Sequence, residues 1–163
     1  MSSPAEISAA GMQPDATWNA TLRAAAQEVF SLMVGVELSP SESPDSADGL
    51  HVTAMVGMAG QLCGVFSVCC SGPVAGVIAS RMLGLSDEEA KAHSGDAIGE
   101  ICNMVAGAFK SKIPGLEDKC MLSVPTVITG DHYTMHSLVV SNHLELVMLF
   151  EGNPVKFTLE VRS

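Results

Sequence analysis

From Ala16 to Val34 apolar residues recur three or four positions apart, at Leu22, Ala25, Ala26, Val29, Leu32 and Met33, which predicts a helix with one buried face. Gly35 follows as its stop. The stretch Ser39–Gly49 (SPSESPDSADG) is acidic, carries prolines and offers nothing to a core, so it reads as a loop. Two strand-like runs come next, His51–Met58 and Leu62–Cys70, joined as a hairpin by the turn Ala59-Gly60-Gln61. Ser71-Gly72-Pro73 opens a second helix, with Ser71 as N-cap and Pro73 in the first turn, and Gly84 ends it. Ser86-Asp87-Glu88-Glu89 is a capping box. The helical pattern it opens runs on to about Ile113, with Gly95 as the expected point of any break or bend, and Pro114-Gly115 stops it. The remainder reads as strands at about Val124–Thr129, Met135–Val140, Leu144–Glu151 and Val155–Arg162, with Gly152-Asn153-Pro154 as the turn between the last two.

Helices and hairpins come in blocks instead of alternating strictly, which predicts an α+β fold with a largely antiparallel sheet and long helices packed on it. Residues 16–163 form the expected domain, and residues 1–15, rich in Ser, Pro, Ala and Gly, a loose tail. With 47% hydrophobic residues but only 4% aromatic, the core must be built from Ala, Val, Leu, Ile and the ten Met. Met55, Met58, Met121, Met135 and Met148 are read as core fillers.

Charge removes whole classes of function. A net charge of −10 argues against nucleic acid and against an anionic membrane surface, both of which call for a basic patch. Met1–Thr17 has no Lys or Arg and no apolar run, so no signal peptide is expected, and the apolar runs are too short for a membrane span. The expectation is a cytoplasmic protein. The five cysteines are odd in number and form no C-x-x-C, and Cys69 and Cys70 are adjacent. Each is read as a small buried hydrophobe in a reducing compartment. His132 and His136 have i, i+4 spacing, but Gly130-Asp131 before them predicts a turn entering a strand, so no helical metal site is expected. The sequence has no G-x-S-x-G, P-loop or dinucleotide fingerprint.

The chemistry-bearing segment is Asp96 to Ile113. At 100° per residue Ile98, Ile101, Cys102, Val105, Phe109 and Ile113 fall on one side, the expected core face. Asp96, Glu100, Asn103 and Gly107 fall opposite, with Gly99 and Lys110 at one margin and Met104 at the other. Glu100 and Asn103 are i and i+3, so their Cβ atoms are roughly 5–6 Å apart and face solvent or a partner. Gly99 and Gly107 inside a helix each cost about 1 kcal/mol relative to Ala. Such glycines give either close approach to a partner's backbone or, for Gly99 near the margin, packing against a neighbouring element of the same fold.

Gly99-Glu100-x-x-Asn103-Met104-x-Ala106-Gly107, with Lys110 following, resembles the signature helix of the CheC/CheX/FliY group of bacterial chemotaxis phosphatases, and most closely its CheX form. The helix around Gln27-Glu28-Val29-Phe30-Ser31-Leu32-Met33 resembles the family's opening helix. Leu146–Phe150 and Phe157–Val161 resemble its closing strand pair. Resemblance therefore covers roughly Ala16 to Arg162, with only the central helix specific. The first helix has no second E-x-x-N, since Glu28 is followed at i+3 by Ser31, which favours the single-site form.

The resemblance implies a CheC-like fold, a homodimer, and a phosphorylated CheY-like receiver domain as substrate. In such a partner the aspartyl phosphate is already activated and lies beside the receiver's own divalent metal, such as Mg2+, and a lysine. What remains is to place a water in line with phosphorus, so positioning and electrostatics dominate. By this resemblance Glu100 and Asn103 are the catalytic pair. Asn103 would orient the water through its amide, as a glutamine does in GTPases, and Glu100 would pair with the receiver lysine. Asp96, Met104 and Gly107 would face the partner. No cofactor or metal of the chain's own is implied. The alternative is a receiver-binding adaptor or switch protein of the same fold that does not hydrolyse the phosphate.

Overall fold

A computed structural model describes residues 12–41, 52–130, 133 and 141–162. Its elements are α1 (Trp18–Met33), β1 (Ser39–Pro40), β2 (Val52–Gly60), β3 (Gly64–Cys70), α2 (Gly72–Leu83), α3 (Asp87–Ala90), α4 (Ser94–Lys112), β4 (Cys120–Leu122), β5 (Thr126–Thr129), β6 (Ser141–Phe150) and β7 (Asn153–Arg162). The seven strands form one sheet in the order β1-β6-β7-β3-β2-β4, with β5 also on β2, and every pairing is antiparallel. The α+β reading therefore holds.

Strand alternation decides which face is covered. On β7 Val155, Phe157, Leu159 and Val161 are buried while Lys156, Thr158 and Glu160 between them are partly exposed, the period of two that a sheet with one packed face requires. Opposite them α1 packs over β6 and α4 over β2, β3 and β5, with α1 and α2 against α4. Phe30 of α1 meets Phe150 and Phe157, each with ring centroids 6.1 Å apart, and Trp18 meets Phe109 of α4 edge-on at 5.5 Å. These aromatics clamp α1 between the sheet and the end of α4.

Local signals explain the boundaries. Ser71 accepts from the Val74 N–H at 3.2 Å, and Gly84 takes the left-handed conformation after α2. The Ser86 capping box forms in both directions with Glu89. Within the stretch expected as a tail, the Met12 N–H donates to the Gln61 carbonyl at 2.9 Å, and Asp15 accepts from the Thr17 N–H at 2.7 Å. The Thr17 hydroxyl also donates to this carboxylate, and the hydroxyl first and the backbone N–H second hold the Asp15 carboxyl below its usual range.

Several expectations are corrected. The helix opened by Ser86 does not run unbroken to Ile113: it breaks at a 3-10 turn, Lys91–His93, ahead of Gly95, and α4 starts afresh at Ser94. Leu32 is 75% exposed, because the α1 stripe closes through Phe30, two positions earlier. Ser39-Pro40 is not loop but a two-residue edge strand on β6, a place where proline is tolerated. The run Val124–Thr129 shortens to β5, and β4 precedes it unannounced. Met121 points outward at 78% exposure instead of filling the core, and Cys63 is exposed and Cys69 half-buried. The last turn is Glu151-Gly152, both at positive φ, one residue before the expected position. The run Met135–Val140, with His132 and His136, lies outside the described residues, as does 42–49 of the acidic loop. Among the described residues no helix is long and apolar enough to cross a membrane.

Candidate functional site

α4 is oriented as its periodicity requires. Ile98, Ile101, Cys102, Val105 and Phe109 are fully buried and Ile113 nearly so, while Asp96 and Glu100 are exposed and Asn103 and Gly107 half-buried. Asp96, Glu100, Asn103 and Gly107 therefore share the outer face of the helix. Met104 joins them only in part, since its side chain packs against the core. Beneath the face, the Cys102 thiol sits 3.4 Å from the Ala54 carbonyl and 3.7 Å from that of Phe66. Burial pushes this thiol up to about 12, so it stays protonated and able to donate.

The cations and the acid of α4 are disposed differently. Lys110 donates its Nζ to the Cys120 carbonyl at 2.6 Å, and Lys112 pairs with Glu28 of α1 at 2.7 Å. Among the described residues the Asp96, Glu100 and Asn103 side chains have no hydrogen-bond or ion-pair partner. Each offers its full hydrogen-bonding capacity to whatever meets the face.

The two glycines also part company. A Cβ at Gly99 would lie 3.2 Å from Val127 Cγ2 and 3.6 Å from Pro125 Cβ, so Gly99 admits the edge of the sheet. A Cβ at Gly107 would meet nothing within 4 Å. Gly99 is thus a packing glycine, and Gly107 has no packing reason within the described fold.

Periodicity did not reveal the geometry of that edge. Met58 pairs with Leu122 and Met55 with Thr126, so three steps along β2 face four along the edge. The extra residue makes a bulge between β4 and β5. Ser123 ties it down: its N–H donates to the Gly57 carbonyl at 2.9 Å, and its hydroxyl accepts from the Gly57 N–H at 2.8 Å. Val124, next in the bulge, is 84% exposed. Pro125 inside an apparent strand was the one local signal, since it cannot donate to the ladder.

A helical layer on one face of an antiparallel sheet, with an acid and an amide on the open side of its central helix, defines a CheC-like architecture. A CheC-like superfamily protein from Shewanella sp. PV-4 overlays with a TM-score of 0.77 at 19% identity, covering 92% of this chain and 100% of that one. The chemotaxis protein CheX from Vibrio vulnificus gives 0.74 at 22% identity, with 93% and 100% covered. CheX in a CheX–CheY–BeF3–Mg2+ complex from Borrelia burgdorferi gives 0.72 at 22% identity, with 90% and 98% covered. The family model for Chemotaxis phosphatase CheX matches residues 52–149, more than half of the chain. The chain belongs to the CheX family. Comparison with curated proteins gives no match.

Proposed function

We propose that this chain dephosphorylates the aspartyl phosphate of a CheY-like receiver domain, with Glu100 and Asn103 as the acting pair. The observation that carries the reading is the open face of α4, where both side chains stand together and neither is bonded to the described fold. Family membership supports it, as does the CheY partner in the Borrelia complex.

In this reading the Asn103 amide holds a water in line with phosphorus. The water oxygen attacks, the bond between phosphorus and the aspartyl oxygen breaks, and the receiver carboxylate leaves with inorganic phosphate as product. Asn103 does not act as a base, since an amide does not titrate near neutrality. Glu100 pairs with the receiver's lysine and fixes the register of the helix. Asp96, Gly107 and the exposed part of Met104 border the docked partner. The divalent metal that shields the phosphoryl oxygens, such as Mg2+, is the receiver's own. The homodimer implied by the family resemblance belongs to the same proposal, with sedimentation velocity as its measurement.

The test is the decay of a phosphorylated receiver with and without the protein. Asn103→Ala is expected to lose about 10²-fold in rate, about 2.7 kcal/mol of positioning, with the fold intact because the side chain bonds to nothing in the described fold. Wild-type turnover in that variant would remove the mechanism. Binding by the wild type without any acceleration would identify a receiver-binding adaptor instead.

A further inference from the structure

We propose that the bulge between β4 and β5 is a second wall of the partner-docking surface, and that Val124 is a specificity-determining contact for the receiver. The inference rests on the reading of α4 above and adds to it a surface on a different element.

The path of the edge puts the bulge beside the catalytic turn. Lys110 of α4 is bonded to the Cys120 carbonyl, Pro125 lies against Gly99, and Val127 lies against Gly99 and Gly95. The edge strand therefore runs alongside α4 in the opposite sense, and the stretch between its anchors passes the turn that carries Glu100 and Asn103. Val124 stands in that stretch.

The fold makes room for this arrangement on both sides. On β2, a Cβ at Gly57 would lie 3.3 Å from the Ser123 hydroxyl; on α4, one at Gly99 would crowd Val127 and Pro125. Two glycines on separate elements accommodate Ser123 and Pro125, the neighbours of Val124. Bulges at sheet edges re-aim side chains, and here the re-aimed one is apolar. Val124, at 84%, is the most exposed large hydrophobic residue among those described.

Rigidity distinguishes it from a loose surface valine. Ser123 is held to Gly57 through both its backbone and its hydroxyl, the same hydroxyl donates to the Val124 carbonyl at 3.1 Å, and Pro125 fixes the following φ. A side chain already held in place loses little entropy on docking, so its burial counts more fully towards affinity. The polar pair on α4 is set by the phosphorylation site. An apolar point beside it would read the surface around that site, which is where receivers would be told apart. The occupant is thus the receiver itself, through an apolar patch adjoining its phosphorylated aspartate.

The experiment titrates wild type, Val124→Asp, Val124→Ala and Glu100→Lys against a CheY-like receiver loaded with Mg2+ and beryllofluoride, and compares melting temperatures. Val124→Asp is expected to weaken binding at least about tenfold and Val124→Ala severalfold, with melting unchanged because the side chain is exposed. The loss in kcat/KM of Val124→Asp should fall more on KM than on kcat, which separates docking from chemistry. Wild-type affinity in Val124→Asp, with binding lost in Glu100→Lys, would overturn this inference and leave the α4 reading standing. Absence of binding by the wild type to any receiver would overturn both.

Discussion

Replacing Gly107 with leucine separates a docking face from a packing face. Gly107 lies on the open side of α4, about one turn beyond Asn103, and a Cβ there meets nothing within 4 Å. Glycine inside a helix costs about 0.8–1.0 kcal/mol relative to alanine, and leucine is close to alanine, so Gly107→Leu should stabilise the fold by about 0.7 kcal/mol. For a chain of this length that is an increase in melting temperature of about 2 °C. Docking should suffer nonetheless. A leucine that displaces the partner by about 1 Å can cost up to about 10²-fold in rate, so a loss of kcat/KM of about 10- to 100-fold is expected. Thermal denaturation followed by circular dichroism and the decay of phosphorylated receiver measure the two quantities. Gly99→Leu is the control, because its first carbon already presses on Val127 and Pro125; overpacking of about 1–3 kcal/mol should lower its melting temperature. Unchanged turnover in Gly107→Leu, or a drop in its stability like that of Gly99→Leu, would refute the assignment of this face to a partner.

Two further outcomes test the charges. Glu100→Lys should bind a receiver carrying a phosphate analogue more weakly than Glu100→Ala, since it sets like charges together; equal affinity for Glu100→Lys and wild type would make Glu100 a merely solvated acid. Glu28 and Lys112 form an exposed pair worth at most about 1 kcal/mol, so Glu28→Ala should leave turnover unchanged, and titration should saturate at one receiver per chain; two per chain would mean α1 carries a second site.

The helix that matters was readable because its pattern is regular. Ile98, Ile101, Cys102, Val105 and Phe109 repeat over three turns, and a helix with so strong a stripe has one orientation on a sheet. The caps at Ser71 and Ser86 were equally plain, being local hydrogen bonds between residues three apart. What escaped depends on contacts distant in sequence. Whether Gly99 met a partner or its own fold turned on Val127, 28 positions away, and no wheel contains that residue. The break at Lys91–His93 comes just before Gly95, the glycine that marked its neighbourhood, and the helical pattern on either side gave no sharper position. β4 is three residues long, too short for alternation to register, and its partner β2 lies far upstream. Leu32 failed for a simpler reason. Its spacing from Val29 fits the stripe, but Phe30 fills the remaining arc against Phe150 and Phe157 and leaves Leu32 in water.

The distribution of unused capacity on α4 narrows what the face can meet. Gly99 is explained by the fold, since the sheet edge closes on it, whereas Gly107 leaves space that no described residue enters. The helix's two last-turn lysines are both engaged internally, one on the Cys120 carbonyl and one on Glu28. Its two acids, Asp96 and Glu100, and its amide, Asn103, are left unbonded among the described residues. A helix serving only the core would gain from alanine at 107 and would lose nothing if Glu100 and Asn103 were exchanged for any good helix former. The proposed function gives this combination a use. A partner that satisfies it brings a cation to Glu100 and, at Asn103, a small group that can both donate and accept, while running close to the helix at Gly107. A receiver's lysine and its attacking water meet those terms together. A partner offering only a cation would leave the amide unsatisfied once the interface excludes solvent, at a cost of about 1–3 kcal/mol. The amide is thus the residue whose removal best separates a phosphatase from a protein that only binds.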